Sequence, residues 1–405
     1  MELVNPLDRP IGRLLRLAQA VSPQDVVEVV SMSVAELEGS DVVLFLLDYE
    51  QATLRPTSDR LPHPRPPEPV TADGSMVGRC FSTQTVLAAE RDGSWAVWVP
   101  VTERVDRLGV LELTLPSWDG HLEEICIEIG VATAHLVLSA SRYTDQIHLL
   151  RRRQDMSLAA EMQWGLLPPL AFGVGTTTVA GLLEPTYEVG GDCFDYALNG
   201  RVLDFAVFDA MGHGVGSAML ASLAVGAYRN GRRDRDRLFD VVAGIDDAVL
   251  THGDSGEFVT ALVARLDIDT GFLRWISAGH PAPLQVRRGK VLGEPDFEPG
   301  MPLGLGGFVD RTDSMPEIAL QPGDGVLLYT DGVVDARSDE GEFFGEERLR
   351  DLLGREAVTG RSPTEVLRRL VHASLAYQGD RLRDDASMLY LHWDGPPEDP
   401  LTGRR

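Results

Sequence analysis

Phe205-Ala206-Val207-Phe208-Asp209-Ala210-Met211-Gly212-His213-Gly214 is the stretch on which the fold turns. Four apolar residues in a row read as a buried strand, and Asp209 stands at its tip. The two glycines then bend the chain into a helical pattern that starts near Ser217. Such a bend can place the carbonyl of Ala210 beside Asp209 as a further oxygen ligand. Three other motifs repeat this placement of a carboxylate at a strand end. Val189-Gly190-Gly191-Asp192 has paired glycines that allow close backbone approach. Val326-Leu327-Leu328-Tyr329-Thr330 carries Asp331 out of a sheet before Gly332, and Arg383-Asp384-Asp385 precedes the strand Ser387-Met388-Leu389-Tyr390-Leu391. An Asp beside a Gly is, taken singly, an ordinary turn. Four such motifs on apolar strands point instead to one shared site, because strand ends hold side chains rigidly and can aim them at one place. Clustered carboxylate oxygens are hard ligands that suit Mg²⁺ or Mn²⁺ better than Zn²⁺.

Outward from these motifs, residues 169–394 alternate strands with a few helices. Strands are expected at Val202–Phe208, Phe258–Asp267, Phe272–Ile276 and Gly325–Tyr329, with a hairpin turn at Ile268-Asp269-Thr270-Gly271. Helices are expected at Ser217–Tyr228, Arg237–Leu250 and Pro363–Tyr377. Helices layered on sheets make this an α+β sandwich. Residues 1–141 read as a smaller α/β domain: helices Ile11–Ala20, Val26–Leu37 and His121–Leu138, a buried strand Val42–Leu47, and an antiparallel pair, Ala96–Val101 and Gly109–Leu115, turning through Asp106. The Pro-rich run Leu61–Val70 is unsuited to a sheet interior. Over residues 142–168, Ile147, Leu150, Gln154, Leu158, Met162 and Leu166 recur every three or four positions. This predicts one connecting helix able to pair with a second copy of itself, stopped by Pro168 and Pro169. Residues 395–405 are expected to be a disordered tail.

Composition narrows the function classes. The chain has 405 residues, 43% hydrophobic and 24% charged, which suits a soluble protein of two or three domains. A net charge of -25 disfavours nucleic acid and anionic membranes as partners, since both need basic surfaces. Three widely spaced cysteines, Cys80, Cys126 and Cys193, indicate neither a disulfide framework nor a zinc knuckle and fit a reducing cytoplasm. The N-terminus lacks the pattern of a signal peptide, and no apolar stretch is long enough to span a bilayer.

Two divalent cations about 4 Å apart would satisfy the carboxylates and hold a water between them. That arrangement favours hydrolysis of a phosphate ester by direct attack of a bridging hydroxide. The motifs also resemble those of the metal-dependent protein phosphatases, the 2C or PPM superfamily, and in particular the bacterial branch containing stage II sporulation protein E and RsbU-type phosphatases. The resemblance runs from about Glu161 to Leu391 and includes Gln163-Trp164-Gly165-Leu166-Leu167-Pro168, Glu188–Asp192, Asp209–Gly214, Ser277-Ala278-Gly279-His280-Pro281, Met301-Pro302-Leu303-Gly304, Tyr329–Val333 and Asp384-Asp385-Ala386-Ser387. It implies a PPM-type α-β-β-α sandwich and two Mn²⁺ or Mg²⁺ ions. Asp192 and Asp209 would lie at the metal pair, Ala210 would lend its carbonyl, and Asp331 and Asp384 would complete the set, with Asp385 nearby. The implied substrate is a phosphoserine or phosphothreonine on an anti-sigma-factor antagonist. Thr186, Ser277 and Ser387 depart from common family residues without removing a ligand.

His213 is a candidate to protonate the leaving oxygen or bind phosphate, against a loop-fixing role. His280 reads as a packing or loop-fixing residue. The first domain resembles a GAF module, through Val42–Leu47, Trp98-Val99-Pro100-Val101 and Leu108–Leu113. This implies a sensory or dimerising role, a homodimer, and a site for a small-molecule ligand. Cys80 and His121 read as packing or surface residues rather than cofactor attachments. The rival reading is a catalytically weak regulator that sequesters its phosphorylated partner.

Overall fold

The computed structural model describes residues 10–58, 68–71, 74–184, 186–187, 190–234, 237–254, 256–293, 299–306, 315–338, 340–379 and 385–396. The chain divides into two units, Met1–Asp155 and Met156–Arg405. Among the described residues no helix is long and apolar enough to cross a membrane. The Pro-rich run falls mostly, and the C-terminal tail almost wholly, outside them.

The first unit runs α1 (Pro10–Ala18), α2 (Val26–Ala35), β1 (Ser40–Leu47), β2 (Thr53–Ser58), β3 (Val70–Thr71), α3 (Met76–Thr83), β4 (Leu87–Arg91), β5 (Ser94–Glu103), β6 (Asp106–Leu115), α4 (Gly120–Ala140) and α5 (Gln146–Arg151). Its antiparallel sheet has the order β3-β2-β1-β6-β5-β4. Side chains alternate across a strand, and here both faces are apolar. Val42, Leu44, Leu46, Val97, Val99, Leu111 and Leu113 share a core with residues of α1, α2 and α4. Phe45, Leu47, Ala96, Trp98 and Val110 pack with Val77, Cys80 and Phe81 of α3 on the other face. Near-continuous apolar runs in β1, β5 and β6 are what such double burial requires. All three cysteines are free and buried, as expected without a disulfide framework. Burial pushes the Cys80 thiol up to about 12, which leaves it unreactive at neutral pH.

The single connecting helix expected over 142–168 is instead two short ones, α5 and α6 (Leu158–Leu166). The chain leaves α5 at Arg152 in an extended conformation, with ψ at 139°, and a new N-cap forms where Ser157 Oγ accepts from the Ala160 amide. Tertiary contacts outweigh the local helical pattern. Arg151 donates from Nε to the Leu47 carbonyl and stacks over the Tyr49 ring, and Ile147 enters the first unit's core. Ala160 belongs to the second unit's core. The apolar repeat therefore does not form one continuous seam.

After α6 the second unit runs β7 (Ala171–Val174), β8 (Thr177–Glu184), β9 (Asp192–Asn199), β10 (Val202–Ala210), α7 (Val215–Arg233), α8 (Leu238–His252), β11 (Val259–Asp267), β12 (Phe272–Ala278), β13 (Leu284–Arg287), β14 (Lys290–Val291), β15 (Glu317–Ala319), β16 (Asp324–Tyr329), α9 (Gly345–Ala357), α10 (Pro363–Tyr377) and β17 (Ala386–Trp393). Its two sheets have the orders β15-β12-β11-β10-β9 and β14-β13-β16-β17-β8-β7. Phe194, Phe205, Val207 and Trp275 of the first meet Val179, Val326, Leu328, Leu389 and Leu391 of the second in an inter-sheet core. The alternate residues face helices: Ala206 and Phe208 meet α7 and α8, while Leu327, Met388 and Tyr390 meet α9 and α10. This is the expected α-β-β-α sandwich. Asp195 on β9, with its side chain 1% exposed, is held by Arg229 and Arg232 of α7, which ties helix to sheet.

Gly181 on β8 lies where the sheets meet. A Cβ there would stand 2.3 Å from the Phe194 ring. Gly181→Ala should destabilise the second unit by about 1–3 kcal/mol through overpacking. Gly244→Ala, in the open on α8, should instead stabilise by up to about 1 kcal/mol through helix propensity. Urea denaturation of both variants would check this pair of opposite signs.

Candidate metal centre

The alternation that builds the inter-sheet core also builds the site. On β10, Asp209 continues the row of Phe205 and Val207; on β9, Asp192 continues the row of Tyr196 and Phe194. The two strands pair antiparallel with Asp209 directly opposite Asp192. Both carboxylates thus lie at one end of the layer between the sheets. From the other sheet, Thr330 continues the row of Val326 and Leu328, and Asp385 that of Leu389 and Ser387.

Asp192 is 2% exposed and accepts a short hydrogen bond from the Thr330 hydroxyl, which bridges the two sheets. Burial first, and Asp209 next, hold its carboxyl well above the usual carboxylate range. The Thr330 hydroxyl opposes that rise, while Asp385 and Asp331 add to it. Asp385 Oδ2 accepts from the amides of Gly190 and Gly191, at 2.6 and 2.7 Å, and so fastens the glycine turn beside Asp192. A Cβ on Gly191 would stand 2.4 Å from the Ala210 carbonyl oxygen, and one on Gly332 1.9 Å from the Asp385 carbonyl oxygen. The glycines therefore permit backbone packing against backbone within the site. Ser217 Oγ, at the start of α7, donates to the Gly190 carbonyl at 2.7 Å.

Asp209, Asp385 and Asp331 are thus each close enough to add to the charge cost of Asp192. Asp384, with Glu188, Val189 and Arg383, lies outside the described residues. Among the described residues no group of three or more His, Cys, Asp or Glu stands in ready geometry to hold a metal ion. The donor set nevertheless fits a hard divalent cation. Like charges directly opposite on a ladder destabilise it, and a cation between them reverses both that repulsion and the upward pull on Asp192. His213 is exposed on the loop before α7, and its imidazole makes no hydrogen bond to a described residue.

Several participants escaped the sequence reading: Thr330, Thr260, Ser217 and Gln163. Gln163 on α6 donates from Nε2 to the Asp192 carbonyl at 2.7 Å. Thr330 and Gln163 carried a signal, since one adjoins Asp331 and the other opens the Gln163–Pro168 motif of the resemblance. The others are ordinary polar residues whose importance depends on which strand faces them.

His280, buried to 3% exposure, is held far below its ordinary value of 6.5, at about 4, because burial disfavours the imidazolium. The unfolded chain binds a proton below about 6.5 while the folded one does not until about 4. Stability from the neutral ring is therefore full above pH 6.5 and lost as pH falls toward 4, by about 3 kcal/mol. Comparing the pH dependence of denaturation for wild type and His280→Gln should show this loss in the wild type and a flatter profile in the variant.

Residues 199–394 match the sequence profile of the family described as stage II sporulation protein E (SpoIIE). Among curated proteins, the chain is 27% identical over 229 residues to protein IcfG of Synechocystis sp., covering 50% of this chain and 36% of that protein. It thus spans little more than a third of that relative's length. It is 21% identical over 240 residues to phosphoserine phosphatase RsbU of Bacillus subtilis, covering 59% of this chain and 70% of that one. Among solved structures it is similar to the SiaA-PP2C domain of Pseudomonas aeruginosa, at 24% identity and TM-score 0.48, covering 58% of this chain and 94% of that one. Residues 199–394, just under half of the chain, are thus similar to the stage II sporulation protein E family.

Proposed function

We propose that this chain is a metal-dependent serine/threonine protein phosphatase that hydrolyses phosphoserine or phosphothreonine on a regulatory protein of the anti-sigma-factor antagonist type. The observation that carries the reading is the convergence of Asp192, Asp209, Asp331 and Asp385, from both sheets, on one end of the inter-sheet layer. The match to the SpoIIE family and the likeness to a phosphoserine phosphatase support it.

Asp192, Asp209, Asp331, Asp384 and Asp385, with the Ala210 carbonyl, would hold two Mn²⁺ or Mg²⁺ ions. When bound, such ions would supply acidification of a water and charge to offset the negative phosphate ester. The chain's own residues do the rest. Asp385 fixes the Gly190–Gly191 turn, and Thr330 orients Asp192, so the carboxylates meet substrate already in place. His213, exposed on its loop, is suited to meet the phosphate or give a proton to the departing serine oxygen. The first unit, a GAF-like sensory domain on this reading, would respond to a small-molecule ligand and control the phosphatase in a cytoplasmic homodimer.

Mn²⁺-dependent hydrolysis of p-nitrophenyl phosphate and of a phosphoserine protein tests the proposal. Wild type should require the metal, and Asp209→Asn and Asp331→Asn should each lose roughly 100-fold or more in kcat. A wild type that binds Mn²⁺ and phosphoprotein without turnover would instead favour the sequestering regulator.

A further inference from the structure

His280 stands between the two sheets of the second unit. Its Nε2 lies 3.0 Å from the Tyr329 carbonyl oxygen, at the end of β16, and its Nδ1 lies 2.9 Å from Thr260 Oγ1, on β11. A carbonyl can only accept, so Nε2 carries the ring proton. Burial keeps the ring neutral, so Nδ1 is a bare acceptor and the Thr260 hydroxyl must donate to it. Thr260 has one hydroxyl proton to give. Its other neighbour is Asp209 Oδ2, at 3.5 Å, on the residue directly opposite in the β10–β11 ladder. Tyr329, at the other end of the link, immediately precedes Thr330, which bonds Asp192, and Asp331.

We infer that His280 is a positioning residue for the metal-binding carboxylates. It joins the strand opposite Asp209 to the strand that delivers Asp331. It also accepts the hydrogen bond of the Thr260 hydroxyl, and so sets how that hydroxyl is turned beside Asp209. Nothing in this requires His280 to touch substrate. The imidazole suits the task because it offers one donor and one acceptor on opposite sides of a rigid ring. Ser277 Oγ, donating to the His280 carbonyl at 2.6 Å, fixes the backbone from which the ring projects. Partners that orient ligands in this way commonly change metal affinity 10–100-fold when removed. The inference rests on the metal-site reading above.

Calorimetric titration of Mn²⁺ into the full chain tests it, with thermal unfolding of each metal-free variant to establish folding. Thr260→Val and His280→Phe should each weaken Mn²⁺ binding roughly 10-fold or more, while Thr260→Ser, which keeps the hydroxyl, stays within about twofold of wild type. The double variant should bind about as weakly as the weaker single one, because both break the same link. Wild-type affinity in a folded Thr260→Val would overturn the inference, as would losses that multiply in the double variant. Should His280→Phe fail to fold, the contrast between Thr260→Val and Thr260→Ser decides. A wild type that binds no Mn²⁺ would overturn the metal reading itself, whereas one that binds it equally with and without the Thr260 hydroxyl would sink only the role of His280.

Discussion

Two carboxylates held face to face on neighbouring strands are the constraint around which the second unit is organised. Asp192 and Asp209 pair directly across an antiparallel ladder, and both continue rows of large apolar side chains into the inter-sheet layer. Left to themselves such a pair would repel, and burial would add to the cost. The surrounding sandwich makes the arrangement tenable. Phe194, Phe205 and Val207 anchor the two strands from below, and Thr330 reaches across from the other sheet to bond Asp192. The site is the polar end of the layer that elsewhere supplies the core.

The same end of the layer gathers partners from far apart in the chain. Asp385 holds Gly190 and Gly191, Gln163 holds the Asp192 carbonyl, and Ser217 holds Gly190. Nearly every one of these bonds ends on a backbone group. They fix the path of the chain at the strand ends and leave side-chain oxygens for chemistry. Burial and the facing Asp209 both raise the Asp192 carboxyl, a charge cost that a bound cation would offset. Trading stability for a charged, preorganised site is common where function needs it.

The two units follow the same alternation to different ends. In the first, both faces of β1, β5 and β6 are apolar and covered by helices. In the second, each sheet has one helix-covered face and one face toward its partner sheet, and the site's carboxylates stand where the inter-sheet apolar rows end. That contrast explains why carboxylate motifs stand out in the second half of the chain. An Asp at the tip of an apolar strand interrupts a pattern that burial otherwise enforces.

Strands such as Val202–Ala210, Val259–Asp267 and Asp324–Tyr329 were legible from composition alone, within a residue or two at most ends, as were the hairpin at Ile268–Gly271 and the helix Pro363–Tyr377. Their apolar runs and turn residues are local properties that any fold must respect. The shorter strands β7, β13, β14 and β15 and the helix Gly345–Ala357 were not legible, being too short or too polar to stand out. The residues Asp192, Asp209, Asp331 and Asp385 were nameable from their motifs. That Asp192 lies opposite Asp209, that Thr330 reaches Asp192, and that His280 spans Thr260 and Tyr329 came only with the fold. So did the break of the expected connecting helix at Arg152, where contacts to Leu47 and Tyr49 outweighed the helical spacing. Periodicity is written along the chain and can be read there, but which strand lies beside which is chosen by burial and hydrogen bonding between segments separated along the chain.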